Sequence, residues 1–145
     1  MNSSNIEKFD LMAGQILGHL YKDFPMPIRL GASSFTDFTK ERTASEQVEF
    51  LKEVDLFNAT AGWLADSGYI RHKGVGENCL IEAVLTSQAL LALKALPGSL
   101  SKGPTIGQKL SEFASTESRE AFRGLVTEAL GIGAKIIGPM IGVAP

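Results

Sequence analysis

Cysteine, tryptophan and histidine are scarce in this sequence, and their scarcity excludes several classes of site. The 145 residues contain one cysteine, one tryptophan and two histidines. A single thiol, Cys79, excludes an internal disulfide framework and any zinc site built on several cysteines. His19 and His72 lie far apart in sequence and have no neighbouring ligand residues at metal-binding spacing. We therefore predict no metal site.

Long apolar runs and a signal sequence are also missing. The most apolar stretch, residues 125–145, is interrupted by Glu128, Lys135 and Pro139. A membrane span needs roughly 20 mostly apolar residues without central charges. The N-terminus lacks the basic region and apolar run of a secretory signal. We expect a cytoplasmic protein with no membrane-spanning helix.

Charge of either sign is nearly balanced, with 14 Lys and Arg against 16 Asp and Glu. A net charge of -2 argues against wholesale binding to nucleic acid, although a local basic patch remains compatible with it. Hydrophobic residues make up 44% of the chain, which is enough apolar material for one folded core. The class expected from composition is a globular domain of ordinary size.

Residues that could carry catalysis do not form a recognisable set. Cys79 opens an apolar strand, where a buried and inert thiol is the expected state. The glycine pair in residues 74–76 is too short for a phosphate loop. Carboxylate pairs spaced four residues apart are typical of solvated faces. We predict no catalytic residue, no cofactor and no small-molecule substrate.

Apolar spacing and capping signals predict the secondary structure. A helix follows Asn5 and is stopped by Pro25 and Pro27, and a short extended piece spans residues 27–31. Thr43 with Glu46 forms a capping box that opens a second helix. Val48, Leu51 and Val54, and with them Phe50, are expected to turn inward from that helix. A third helix, residues 55–67, ends at Gly68, which suits the left-handed position after a helix.

The remaining elements follow from turn signals. Residues 69–72 predict a strand, residues 73–78 a glycine turn, and residues 79–85 the returning strand. Thr86 caps a helix over residues 87–95. After a linker at 98–104 come a short helix containing Leu110 and a last helix from Glu117 to about Gly138. We divide the chain into a domain at 1–97, this linker, and a helical extension at 105–145.

The order helix, short strand, helix, helix, two strands and helix resembles a winged helix-turn-helix over about residues 5–97. The resemblance is carried by residues 62–70 (GWLADSGYI) and, after the wing, by residues 85–90 (LTSQAL). It implies a mainly α fold with a small antiparallel β wing (α+β). It also implies DNA binding, with the 55–67 helix in the major groove and the 69–85 wing on the adjacent backbone. Trp63 and Tyr69, which flank the corner between helix and strand, are expected to anchor the core.

The helix that should read DNA departs from this pattern, because it contains Asp55 and Asp66 but no Lys or Arg. DNA affinity comes largely from cations on phosphates, and base readout favours Arg, Asn or Gln. We therefore favour protein contact over DNA binding, and keep a DNA-binding regulator as the alternative. The candidate nucleic-acid contacts are Arg71, His72, Lys73, Asn58, Lys40 and Arg42.

The C-terminal helix carries glycines seven residues apart and is apolar around much of its circumference. Interior glycines each cost roughly 1 kcal/mol, which close packing against a partner element would offset. We predict that this apolar surface is buried in a homo-oligomer or against a protein partner. The alternatives are packing on the N-terminal helix of the same chain, a membrane surface, or a mobile tail. The candidate interface residues are Phe122, Gly124, Leu125, Gly131, Ile132 and Gly138.

Overall fold

A computed structural model describes residues 4–98, 102–112 and 118–141, with side chains as far as Ile136. Its helices are α1 (Asn5–Asp23), α2 (Ala44–Asp66), α3 (Ser87–Lys94), α4 (Ile106–Ser111) and α5 (Arg119–Ile141). Its strands are β1 (Ile28–Gly31), β2 (Ile70–Arg71), β3 (Gly74–Gly76) and β4 (Cys79–Leu85), and a 3-10 turn spans Ala32–Ser34. The predicted class, mainly α with a small antiparallel sheet, is confirmed. The predicted start of the last helix at Glu117 and the linker residues 99–101 lie outside the described residues.

Helix α1 forms the centre of the structure. Ser4, rather than Asn5, is its N-cap, and its side chain accepts a hydrogen bond from the Glu7 backbone N–H at 3.2 Å. One face of α1 is fully buried, and it includes Met12, Ile16, Leu17 and Leu20. The helix ends at Asp23, before the prolines at 25 and 27.

Helix α2 is one continuous helix, so the two helices expected over residues 43–67 are a single element of 23 residues. The prediction of a break near Asp55 is wrong because no glycine or proline lies between Thr43 and Gly62 to interrupt the backbone hydrogen bonds. Both ends are as predicted. The capping box of Thr43 and Glu46 is present, and Gly68 has φ +90°.

The first half of α2 is exposed, which corrects the prediction that Val48 and Leu51 turn inward. Their side chains are 52% and 51% exposed, whereas Val54 is buried and Phe50 is half-buried. The helical face of Val48 and Leu51 points away from α1 and the sheet, and amphipathic spacing alone does not reveal which face has a neighbour. The buried half of α2 is the later one, around Phe57 and Leu64.

The sheet is antiparallel, with β4 at its centre, β1 on one side and both β2 and β3 on the other. Pairing runs from Ile70 opposite Leu85 to Gly76 opposite Cys79 without a change of register. The predicted glycine turn is therefore shorter than residues 73–78, and only two residues are left to turn the chain. The second of these, Asn78, has φ +53°, a conformation that asparagine tolerates.

The C-terminal helices share one core with the N-terminal elements. Phe122, Val126 and Ala129 of α5 belong to the same buried cluster as Leu17 of α1 and Leu93 of α3. Helix α4 also packs on α1. The first three turns of α5 therefore pack on the N-terminal helix of the same chain, which is one of the alternatives stated above for the last helix.

Candidate functional site

The wing carries two of the cations predicted to contact nucleic acid. Arg71 lies exposed on β2, and the exposed Lys73 has its Nζ 3.7 Å from Oε1 of Glu82. His72 is half-buried, and its Nδ1 accepts a hydrogen bond from the Gly74 N–H at 3.0 Å. The wing therefore offers one cation, Arg71, that has no ion-pair partner among the residues the structure describes, and one, Lys73, that is partly neutralised.

Of the other predicted nucleic-acid contacts, Lys40 is exposed, whereas the side chains of Asn58 and Arg42 are bound within the fold. The Asn58 amide donates to the side-chain oxygen of Asn78 at 2.9 Å, which ties α2 to the turn of the wing. The Arg42 guanidinium donates to the backbone oxygens of Asp37 and Lys40 and lies 3.8 Å above the centre of the Phe50 ring. Arg42 thus closes its own loop against α2, and the six predicted contacts do not form one basic surface.

The predicted interface of α5 is divided between core and surface. Phe122 is 2% exposed and is therefore unavailable to a partner, which corrects its assignment as an interface residue. Its place on the helix face toward α1 is the reason. Leu125 and Ile132 are half-buried against the same core. Gly124 and Gly131 lie on the open face with no atom within 4 Å of an added Cβ. Gly138 lies in the last described turns of the helix.

Close backbone approach occurs instead at other glycines. A Cβ on Gly14 would lie 2.6 Å from Val126, and one on Gly18 would lie 2.7 Å from the Leu110 carbonyl carbon. Gly133 has the Tyr69 ring against it. The spacing of four residues between Gly14 and Gly18 on an apolar helix was the available signal for this contact.

A groove between α1 and α2 has a volume of about 680 Å³. Its floor is apolar and consists of Leu11, Met12, Phe35 and Leu56. Leu11 and Leu56 are only half-buried because they lie on the flanks of their helices. The sequence reasoning missed this groove, because its two walls are almost 40 positions apart in the chain.

The two rims of the groove carry opposite charge. Lys8 of α1 and Arg119 of α5 stand on one side, and Glu53 and Asp55 of α2 stand on the other. The side chains of Lys8, Arg119 and Asp55 form no hydrogen bond or ion pair with any described residue. Glu53 accepts a hydrogen bond from the Thr36 hydroxyl at 2.8 Å.

One further pair lies on the acidic rim. Lys52 Nζ is 3.4 Å from Oε1 of Glu49, and both side chains are about 70% exposed. This exposed pair is largely self-neutralising. The charge left for another molecule is therefore positive on the α1 side and negative on the α2 side.

Trp63 lies on the same face of α2 as Leu56, two turns further along. It is 47% exposed, which corrects the prediction that it anchors the core. Phe9 packs edge-on against it at 5.2 Å, and Tyr69 stacks beside it at 6.2 Å between ring centres. The indole is thus held in one orientation while about half of it faces outward.

Tyr69 does anchor the core, as predicted for it. It is 4% exposed, and its hydroxyl donates to the Leu130 carbonyl at 2.8 Å. Burial raises the pKa of this phenol above its usual value. Tyr69 therefore connects the Trp63 ring to α5.

Two carboxyl groups with shifted pKa values have structural causes. Hydrogen bonds from the Thr39 hydroxyl and backbone lower the pKa of Asp37, and those from Thr43 lower the pKa of Glu46. Both groups cap local structure. Within the described residues no three His, Cys, Asp or Glu side chains gather as a metal-ligand set.

Outside comparisons add no family assignment. In the part of the chain that the structure describes, none of the helices has the length and apolarity to cross a membrane. No protein-family model matches the chain, and comparison with characterised proteins and with solved structures found no match.

Proposed function

We propose that this chain is a non-enzymatic, winged-helix-like protein that binds a protein partner or a second copy of itself. Its binding surface is the groove between α1 and α2 together with Trp63, which lies two helical turns beyond Leu56 on α2. The observation that carries the proposal is Trp63, which is half-exposed yet fixed by Phe9 and Tyr69. Tryptophan is among the residue types most enriched at the energetic centres of protein interfaces. An indole that is already immobilised loses little conformational entropy on binding.

The winged-helix component of the proposal rests on element order. A helix, a strand, the long α2, a hairpin and α3 follow one another as the resemblance implies. The continuous α2 departs from the usual pair of helices separated by a turn. The second half of α2 is buried on one side, and its solvent-facing side carries Asp55 and Asp66 but no Lys or Arg. That charge supports protein contact more than contact with phosphates.

The test uses the fact that Trp63 is the sole tryptophan. Wild type, Trp63→Ala and a control, Leu91→Ala, are compared by light scattering across a concentration series and by affinity capture from extract. Leu91 is a matched control because it is 57% exposed on a different helix, α3. Circular dichroism establishes that each variant is folded.

We expect Trp63→Ala alone to abolish self-association or capture of the partner. Formation of the wild-type complex should shift the Trp63 emission to shorter wavelength, because the indole leaves water. If wild type neither self-associates nor retains a partner, or if Trp63→Ala behaves like Leu91→Ala, the proposal is wrong.

The open face of α5 favours a second route to self-association. Gly124 and Gly131 present bare backbone to the outside. Gly131→Arg should dissociate a dimer formed there, whereas Gly131→Ala should preserve it. Equal masses for both variants and for wild type at every concentration would exclude this route. Membrane-surface binding by α5 has less support, because Phe122 and Val126 are already buried.

DNA binding stays the alternative function, favoured by the exposed Arg71 and Lys73 on the wing. It predicts retention on DNA at low salt that weakens as salt rises and as both residues become Ala. If the protein is not retained on DNA at low salt, the DNA-binding alternative is wrong.

A further inference from the structure

We infer that the groove between α1 and α2 takes an amphipathic α-helix whose apolar stripe has acidic residues along one flank and basic residues along the other. This inference rests on the proposed function and specifies the chemistry of the partner. The observations that carry it are the groove, its two charged rims and the position of Trp63, which lies on α2 two helical turns beyond Leu56 of the lining and packs against Phe9 of α1.

The shape of the groove favours a helix over an extended segment. Its main walls are the helices α1 and α2, which hydrogen-bond their own backbones. An extended peptide in this groove would find no strand edge with which to pair its N–H and C=O groups. A helix satisfies those groups internally and places only side chains on Leu11, Met12 and Leu56.

The rims specify the charges of the occupant. Among the described residues, the side chains of Lys8 and Arg119 are unpaired on one side, and that of Asp55 is unpaired on the other. A bound helix places one flank beside each rim. Acidic residues are attracted to the Lys8 side and basic residues to the Asp55 side, and a flank of like charge is repelled.

Charge also determines the direction in which the helix lies. Turning a helix end for end in a groove exchanges its two flanks. A helix with segregated charges therefore fits in one direction only, with one chosen terminus near Trp63. A helix of the same composition with both signs mixed on each flank has no preferred direction.

The probes are two synthetic peptides of about 18 residues, roughly five helical turns, without tryptophan. Both have a leucine stripe and the same number of Glu and Lys. One has Glu on one flank and Lys on the other, and its isomer mixes them. Each is made with a nitroxide quencher at either terminus, and binding to the full chain is followed by Trp63 fluorescence.

We expect the segregated peptide to bind about tenfold more tightly than its isomer at low salt. Only one of its termini should quench Trp63 strongly. In the triple variant Lys8→Glu, Arg119→Glu, Asp55→Lys, quenching should move to the other terminus. Circular dichroism and a thermal melt establish that this variant is folded.

Three results would overturn the inference: no binding of either peptide, equal affinity of the two isomers, or quenching by the same terminus in wild type and triple variant. These failures are distinguishable from failure of the proposed function. If association still depends on Trp63, the surface is correct and only the helical, charge-segregated partner is wrong. If association is independent of Trp63, the surface itself is wrong.

Discussion

The two flanks of helix α1 are built in opposite ways. On one flank, Gly14 and Gly18 bring α5 and α4 so close that a methyl group has no room, since a Cβ on Gly18 would lie 2.7 Å from the Leu110 backbone. On the other flank, α1 and α2 leave a groove of about 680 Å³. The same helix thus contacts its own chain without a gap on one side and leaves room for another chain on the other.

Charge follows the same division. The polar groups of the packed flank are paired: Arg123 Nε lies 3.1 Å from Oδ2 of the nearly buried Asp10, and the Tyr21 hydroxyl lies 3.2 Å from the Thr105 hydroxyl. The open flank has, on one rim, cations without a partner in the described part of the chain, and carboxylates on the other rim. Residues of the packed flank should therefore control stability, and those of the groove should control binding.

The largest effect is expected for Gly18→Ala. The added Cβ meets the Leu110 and Ser111 backbone, which moves only if α4 moves, so we expect the free energy of unfolding to fall by about 2–3 kcal/mol. Urea denaturation measures the change. The control is Gly62→Ala in α2, where no atom lies within 4 Å of the Cβ and up to about 1 kcal/mol should be gained. Equal effects at both glycines would contradict the packed character of this flank.

The Asp10–Arg123 ion pair should give the next largest effect. Arg123→Met leaves a mostly buried carboxylate without its charged partner, and we expect a loss of about 1.5–2 kcal/mol in urea denaturation. Adding Asp10→Asn should recover part of the loss, since the unpaired charge is then gone. A double variant as unstable as the sum of the single variants would show that the pair is not coupled.

Local signals in the sequence predicted several helix ends correctly, although Ser4 rather than Asn5 caps α1 and the predicted break near Asp55 is absent. The correctly predicted signals are the capping box at Thr43, the left-handed Gly68 and the Thr86 cap. Each of them involves only residues within about four positions in the sequence, so it can be identified without knowing the tertiary structure. Burial depends on which element packs where. Val48 and Trp63 were expected inside because they are apolar and helical, but no element covers them fully.

The glycines show the same limit. The spacing of Gly124 and Gly131 predicted a packed seam, yet both are open, and the packed positions are Gly14, Gly18 and Gly133. A glycine pattern indicates that approach is sterically allowed, and only the tertiary structure shows where it occurs. The groove was equally hidden, because its walls combine α1, α2 and the start of α5.

Helix α5 also has an open and a packed side, which are represented by Gly131 and Gly133. Gly131→Ala should raise the free energy of unfolding by up to about 1 kcal/mol, because the Cβ enters open space in a helix. Gly133→Ala should lower it by about 1 kcal/mol, because the Cβ displaces the Tyr69 ring. Thermal denaturation of the two variants side by side tests the difference. A stabilising Gly133→Ala would mean that α5 does not press on Tyr69.

The smallest effect on stability is expected in the groove. Lys8→Ala and Asp55→Ala remove exposed side chains without partners in the described structure, so each should change the free energy of unfolding by less than about 0.5 kcal/mol. The emission of Trp63 in the free protein should stay that of wild type, because its Phe9 and Tyr69 neighbours are untouched.

Binding of the charge-segregated peptide should weaken in both groove variants, and the loss should shrink as salt screens the rims. Lys22→Ala is the matched control, since Lys22 is an exposed cation at the far end of α1 and outside the groove. Suppose that Lys8→Ala and Asp55→Ala destabilise the fold as much as Arg123→Met, or leave peptide binding as Lys22→Ala does. Either result would show that the groove residues do not control binding separately from stability. The two flanks of α1 would then differ only in how tightly they are packed.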